Sequence, residues 1–258
     1  MTPIITPDQA VALALVFTRV IAVLMAFPFI NTAMLPRNVK ILLVVSLAFF
    51  AVQNLDIHLQ LQNLGVWDFI FLIFKELLVG FALGLLANFF ISAFSYAAEI
   101  ISYFMGITVV NIFDPTYGQV SVLSKFFIML FYMIFFVSGA YEYFVATLFA
   151  SFEHYPLTMQ HLHSGFWHYV IQNSITIFTL AFKLAFPFAL ILYLINVALA
   201  LVNRLIPQIN VFIVGLPLQI FVGIAALAAG ASIIVYLGVS YLQNLNADIL
   251  YFIKHIGN

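Results

Sequence analysis

Arg19, Glu76, Glu99 and Lys183 each stand inside a long apolar run, and ionisable groups so placed could relay a proton or a small ion across a membrane. Left in hydrocarbon without a partner each is costly, so each must face protein or water. A transporter would also show two corresponding segments broken in the same way, and no such inverted pair is found. Histidine is the other group with chemical potential: His154, His161, His163 and His168 share a stretch, Ser151 to His168, that reads as a loop. Their spacing matches no helical ligand pair and there is no cysteine to help, so neither a metal site nor a cofactor is expected. Phosphate-cradling glycine loops, paired-histidine zincin helices and serine nucleophile elbows are missing, and the acids are scattered singly, so an enzyme is not expected.

The composition that surrounds these groups is oily. Of 258 residues 66% are hydrophobic and 7% charged, and the mean hydropathy is +1.18, which places the chain among polytopic membrane proteins. Backbone satisfaction in lipid then predicts an all-α fold, a polytopic membrane-associated protein with broken and hairpin helices. A formal charge of −1 with no basic run excludes a nucleic-acid surface. The first Lys or Arg is Arg19, so a cleaved signal peptide is not expected. The 30 phenylalanines serve either tight packing or contact with lipid.

The elements follow from the apolar blocks. Ala10 to Ile30 is long enough to span, with Arg19 in its middle, and Pro28 and Pro36-Arg37 frame the loop after it. Val39 to Leu55 is a second block, and Lys75-Glu76 interrupts a third that starts at Val66. Glu76, Gly80 and Gly84 lie along one helical ridge that suits close packing, continued by Asn88, Ser92, Ser95 and Glu99, so this helix should be interior. Phe126 to Ala150 is a span broken late by Gly139, and Val170 to Val202 is too long for one straight span, predicting tilt or a break at Pro187. Arg204, Pro207, Gln208 and Asn210 form a polar hinge; Gly215 and Pro217 predict a further break, and Gly223 and Gly230 belong to a smooth close-packing surface. Loop charges place Arg37, Lys40, Lys125 and Arg204 on one side of the membrane.

One stretch, Phe104 to Lys125, differs from all of these. Met105, Gly106, Val109, Val110, Ile112 and Phe113 belong to an apolar, β-branched run that begins at a glycine, where helix propensity is poor. Asp114-Pro115-Thr116-Tyr117-Gly118 carries the residues of a turn in order. Such a segment cannot face lipid; it either fills a gap between helices as a re-entrant loop or lines an aqueous conduit.

Ala98-Glu99-Ile100, Met105-Gly106, Phe113-Asp114-Pro115-Thr116-Tyr117-Gly118-Gln119 and Arg204-x-x-Pro207-Gln208-x-Asn210-Val211-Phe212-x-x-Gly215-x-Pro217 together resemble the FliR family of flagellar biosynthesis proteins. Arg19, Pro36-Arg37 and Glu76 with Gly80 and Gly84 extend the likeness over nearly the whole chain, as a single export gate domain of residues 1–258. The chain departs from the family's habit at Gly139-Ala140-Tyr141, where a histidine often follows the glycine, and at Gln219, often basic.

The resemblance implies a subunit of a type III secretion export gate in the bacterial inner membrane at the flagellar basal body. There it would join FliP-like and FliQ-like subunits around a central pore for unfolded export substrates, beside an FlhB-like protein. It also implies that the loop 106–121 is a plug. Its apolar side chains suit a constriction that excludes water by dewetting, with Gly106 and the Asp114–Gly118 turn as the ends on which it swings. The alternatives are a subunit of a virulence-type (SctT-like) secretion system and a small proton-coupled transporter.

Overall fold

α-Helix is the only regular structure among the described residues of the computed structural model, which are 7–27, 30, 35–54, 65–108, 121–157, 164–208 and 210–256. Eight helices are described: α1 (Pro7–Ala26), α2 (Arg37–Asn54), α3 (Val66–Phe104), α4 (Val122–Val137), α5 (Ala140–His154), α6 (Ser164–Leu205), α7 (Val211–Ala229) and α8 (Ala231–Ile256). Three are long and apolar enough to cross a membrane, within Gln9–Ala26, Val66–Phe104 and Val170–Leu205; the number rises to five if each of two bent helix pairs is one span. The protein is thus an all-α polytopic membrane protein.

The chain divides into two compact units, one of Met1–Phe89, Gly139–Ser174 and Gln243–Asn258, the other of Phe90–Ser138 and Ile175–Leu242. In the first, α1 buries Leu15, Val16, Arg19, Val20 and Val23, a stripe at helical spacing. A Cβ on Gly80 would meet Arg19 O at 2.5 Å and Ala22 Cβ at 2.7 Å, and one on Gly84 would meet Ala26 Cβ and, at 2.6 Å, Val23 O. α1 and α3 therefore touch backbone to backbone, and because 19, 22 and 26 pair with 76, 80 and 84 they run parallel. α2 packs on α1 with Ala48 and Ala51 wholly buried. Phe144 and Phe149 of α5 meet Phe27 and Phe50 at centroid separations of 4.4 and 5.2 Å.

The second unit is built from aromatic rings against glycines. Phe94 meets Phe131 edge-on at 5.1 Å, and a Cβ on Gly238 would touch Phe94 and Ile134 at 3.0 and 3.1 Å. Leu180, Leu184, Ala185, Phe188 and Leu192 form the buried stripe of α6.

Three expectations are corrected. α6 continues through Pro187, and α7 through Gly215 and Pro217. A proline forfeits one helical hydrogen bond, and in an apolar setting neighbouring helices can absorb that loss without ending the helix. The break comes instead at Gly230, where the axes on its two sides differ by 57° and a Cβ would strike the Phe188 ring at 2.5 Å. Of Ser151–His168, read as loop, Ser151–His154 is the last turn of α5 and Ser164–His168 is the start of α6. By contrast Gly139 does separate α4 from α5, at φ +72°, and the chain does leave the helix after Leu205 and re-enter at Val211, with Asn210 Oδ1 accepting from Ile213 N–H at 3.4 Å.

Candidate functional site

Arg19 of α1, wholly buried, reaches across to α3 and to the end of α5. Its Nε donates to Glu76 Oε2 at 2.5 Å, one terminal nitrogen donates to Ser151 O at 2.8 Å, and the other to Tyr155 O at 2.9 Å. The Phe152 ring lies 4.3 Å from the guanidinium carbon, so the cation's face is covered as well as its edges. Lys75, 1% exposed, stands 3.0 Å from the other Glu76 oxygen, Oε1, as an ion pair, and donates to Leu157 O at 2.9 Å.

Two cations thus share one carboxylate in a dry interior, which a Coulomb count leaves one positive charge in excess. The balance comes from α5. Its last carbonyls and those just after it, Ser151, Tyr155 and Leu157, carry the negative end of the helix dipole and point at the two cations. The cluster therefore caps α5 as well as tying α1 to α3. Burial, then the Glu76 carboxylate, push the Tyr155 phenol above its ordinary pKa, with Arg19 pulling the other way; it stays protonated.

In the second unit the Phe104–Lys125 stretch is described only at its ends. Val109, Val110, Ile112, Phe113, Asp114, Pro115 and Gly118 lie outside the described residues. At the front end α3 stops in a Schellman motif: Ile107 N–H donates to Ser102 O and Gly106 N–H to Tyr103 O, both at 3.1 Å, with Gly106 at φ +73°. Met105 is 1% exposed, and its side chain fills the place a Cβ would take on Gly223, 2.6 Å from Cγ and Cε. It is seated in the interior, where the bare backbone of Gly223 offers it a hole. Beside it Gln219 Nε2 donates to Asn196 Oδ1, and Asn196 Nδ2 donates at 3.4 Å to Phe104 O, a carbonyl of the last helical turn.

At the back end Ser121 is the N-cap of α4, its hydroxyl accepting from Ser124 N–H at 3.1 Å. Glu99 Oε1 accepts from Ser121 N–H at 2.8 Å and from Ser124 Oγ–H at 2.5 Å. A carboxylate on α3 thus closes the start of α4, where its charge meets the positive helix end.

The ionisable residues picked out from sequence do not form one relay. Arg19 and Glu76 meet in the first unit; in the second, Glu99 holds serines and Lys183 donates to Tyr241 Oη at 3.0 Å. Arg37 and Arg204 are exposed. Sequence reasoning missed Asn196, Ser121 and Ser124, and met Gln219 only as a departure from the family's habit. The signals were a lone amide in an apolar block, for Asn196, and a Ser-x-x-Ser step before an apolar run.

The profile of a family described as bacterial export proteins, family 1, matches residues 10–245. The flagellar biosynthetic protein FliR of Aquifex aeolicus is 29% identical over 254 residues, covering 98% of each chain. That of Bacillus subtilis is 31% identical over 232 residues and 88% of each chain, and that of Escherichia coli K12 is 29% identical over 214 residues, 82% of this chain and 80% of that one.

Proposed function

The chain belongs to family 1 of the bacterial export proteins, the FliR family, and on that premise we propose that it is a membrane subunit of the flagellar protein export apparatus. In this reading both units act as one gate subunit in the inner membrane. It joins FliP-like and FliQ-like chains, next to an FlhB-like protein, around a pore for unfolded flagellar proteins. Similarity to relatives named for flagellar biosynthesis over 98% of both chains carries this reading and favours it over a virulence-type system or a solute transporter.

The plug role is assigned to the loop 106–121. What supports it is the pair of anchors at its ends: Met105 and the Gly106 turn seated on α7, and Ser121 held by Glu99. A segment gripped at both ends can be displaced and return to the same place, as a seal must. Val109, Val110, Ile112 and Phe113 then supply the dewetting constriction, with Met105 as its fixed root.

The test is to delete Val109–Gly118 in cells carrying the whole apparatus and to measure ion leak and salt sensitivity. Leak should rise; unchanged permeability refutes the sealing role. Removing the whole gene should abolish secretion of flagellar protein, and its persistence would refute the wider assignment.

A further inference from the structure

The three long apolar helices are not equally wrapped by their own chain. Half of the most apolar stretch is buried in α1 and in α3, but only 17% in α6. Along α6 the uncovered side includes Phe178, Phe182 and Phe186, each about 60% exposed, and Lys183 stands among them. At about 1.5 Å per residue Lys183 is about 20 Å from Val170 and about 33 Å from Leu205, so its ammonium sits well inside the apolar length of the helix.

A lysine that only snorkelled would extend along its helix toward headgroups. Lys183 instead reaches sideways to α8, where Nζ donates to Tyr241 Oη at 3.0 Å and stands 5.7 Å from the ring centroid. Among the described residues it has no ion pair. The Tyr241 hydroxyl, having accepted, keeps its own proton to donate, and the ammonium keeps two. The result is a preset pair of donors flanked by aromatic rings, a shape that suits the two oxygens of a carboxylate.

A second copy of this chain cannot readily supply one from its long spans. Their acids are Asp68, bonded to Gly65 N–H, Glu76, buried between Arg19 and Lys75, and Glu99, holding Ser121 and Ser124. We propose that Lys183 and Tyr241 form a docking point, within the membrane, for an Asp or Glu on an apolar helix of a different subunit, which lies along the phenylalanine face of α6. This rests on the reading of the chain as one subunit of an assembly.

The experiment introduces Phe182→p-benzoylphenylalanine into the chain in cells holding the full apparatus, irradiates, and maps the adduct by mass spectrometry. The adduct should fall on an apolar helix of one other protein, within a turn of a carboxylate. Lys183→Glu should cut secretion at least about tenfold, Lys183→Arg should stay within about twofold to threefold of the unaltered chain, and a Lys at the mapped carboxylate should restore Lys183→Glu. Adducts to lipid alone or to a second copy overturn the proposal, as does Lys183→Gln secreting at the unaltered level. The adduct identifies the neighbour whether or not secretion depends on the chain, so failure of the export assignment is read separately, from the gene deletion.

Discussion

The two units hold their parts by opposite means. In the first, Arg19, Lys75 and Glu76 make a dry charged knot onto which a helix end is fastened; in the second, the fastenings are a thioether in a glycine hole, an amide pair and a carboxylate on two serines. Opening the knot would strand buried charges that now face one another, whereas the second set holds one carboxylate, on serine groups, beside a neutral amide pair and a buried thioether. The first unit is thus fastened by buried ion pairs, the second by packing and by hydrogen bonds without a paired cation.

That contrast can be broken most directly at Glu76. Glu76→Gln keeps the shape but leaves two cations facing each other, and a loss of about 3–5 kcal/mol is expected, read as a lower Tm of the purified chain in detergent. A change under about 1 kcal/mol would mean the knot is not what holds the unit. Gly80→Leu drives a side chain into the α1 backbone and should cost about 1–3 kcal/mol or more, accompanied by lost protein level. Ser121→Ala removes a cap worth about 1 kcal/mol; here the contrast sharpens, because ion leak should rise while protein level changes little. The smallest effect belongs to Lys75→Met, about 1 kcal/mol or less, since Arg19 and Glu76 remain as a neutral pair. If Lys75→Met matches Glu76→Gln, the second cation is as essential as the anion and the charge balance drawn for the cluster is wrong.

Much of this was legible beforehand, and unevenly. The Glu76–Gly80–Gly84 ridge could be read because close packing requires small residues at one helical spacing, and that spacing is local. The turn at Gly106 could be read because only glycine takes that φ cheaply. Pro187 and Pro217 misled, because whether a proline breaks a helix depends on what its neighbours offer the freed carbonyl. Asn196 and Gln219 could not be paired in advance, as nothing local links positions on separate helices.

From the residues alone come the membrane class, the all-helical answer to an oily solvent and the close-packing ridge at Glu76, Gly80 and Gly84, all consequences of composition and short-range stereochemistry. Which cation faces Glu76, which carbonyls receive Arg19 and which hole receives Met105 were decided only in three dimensions, because a buried charge or thioether takes whichever distant partner the packing brings within about 3–4 Å.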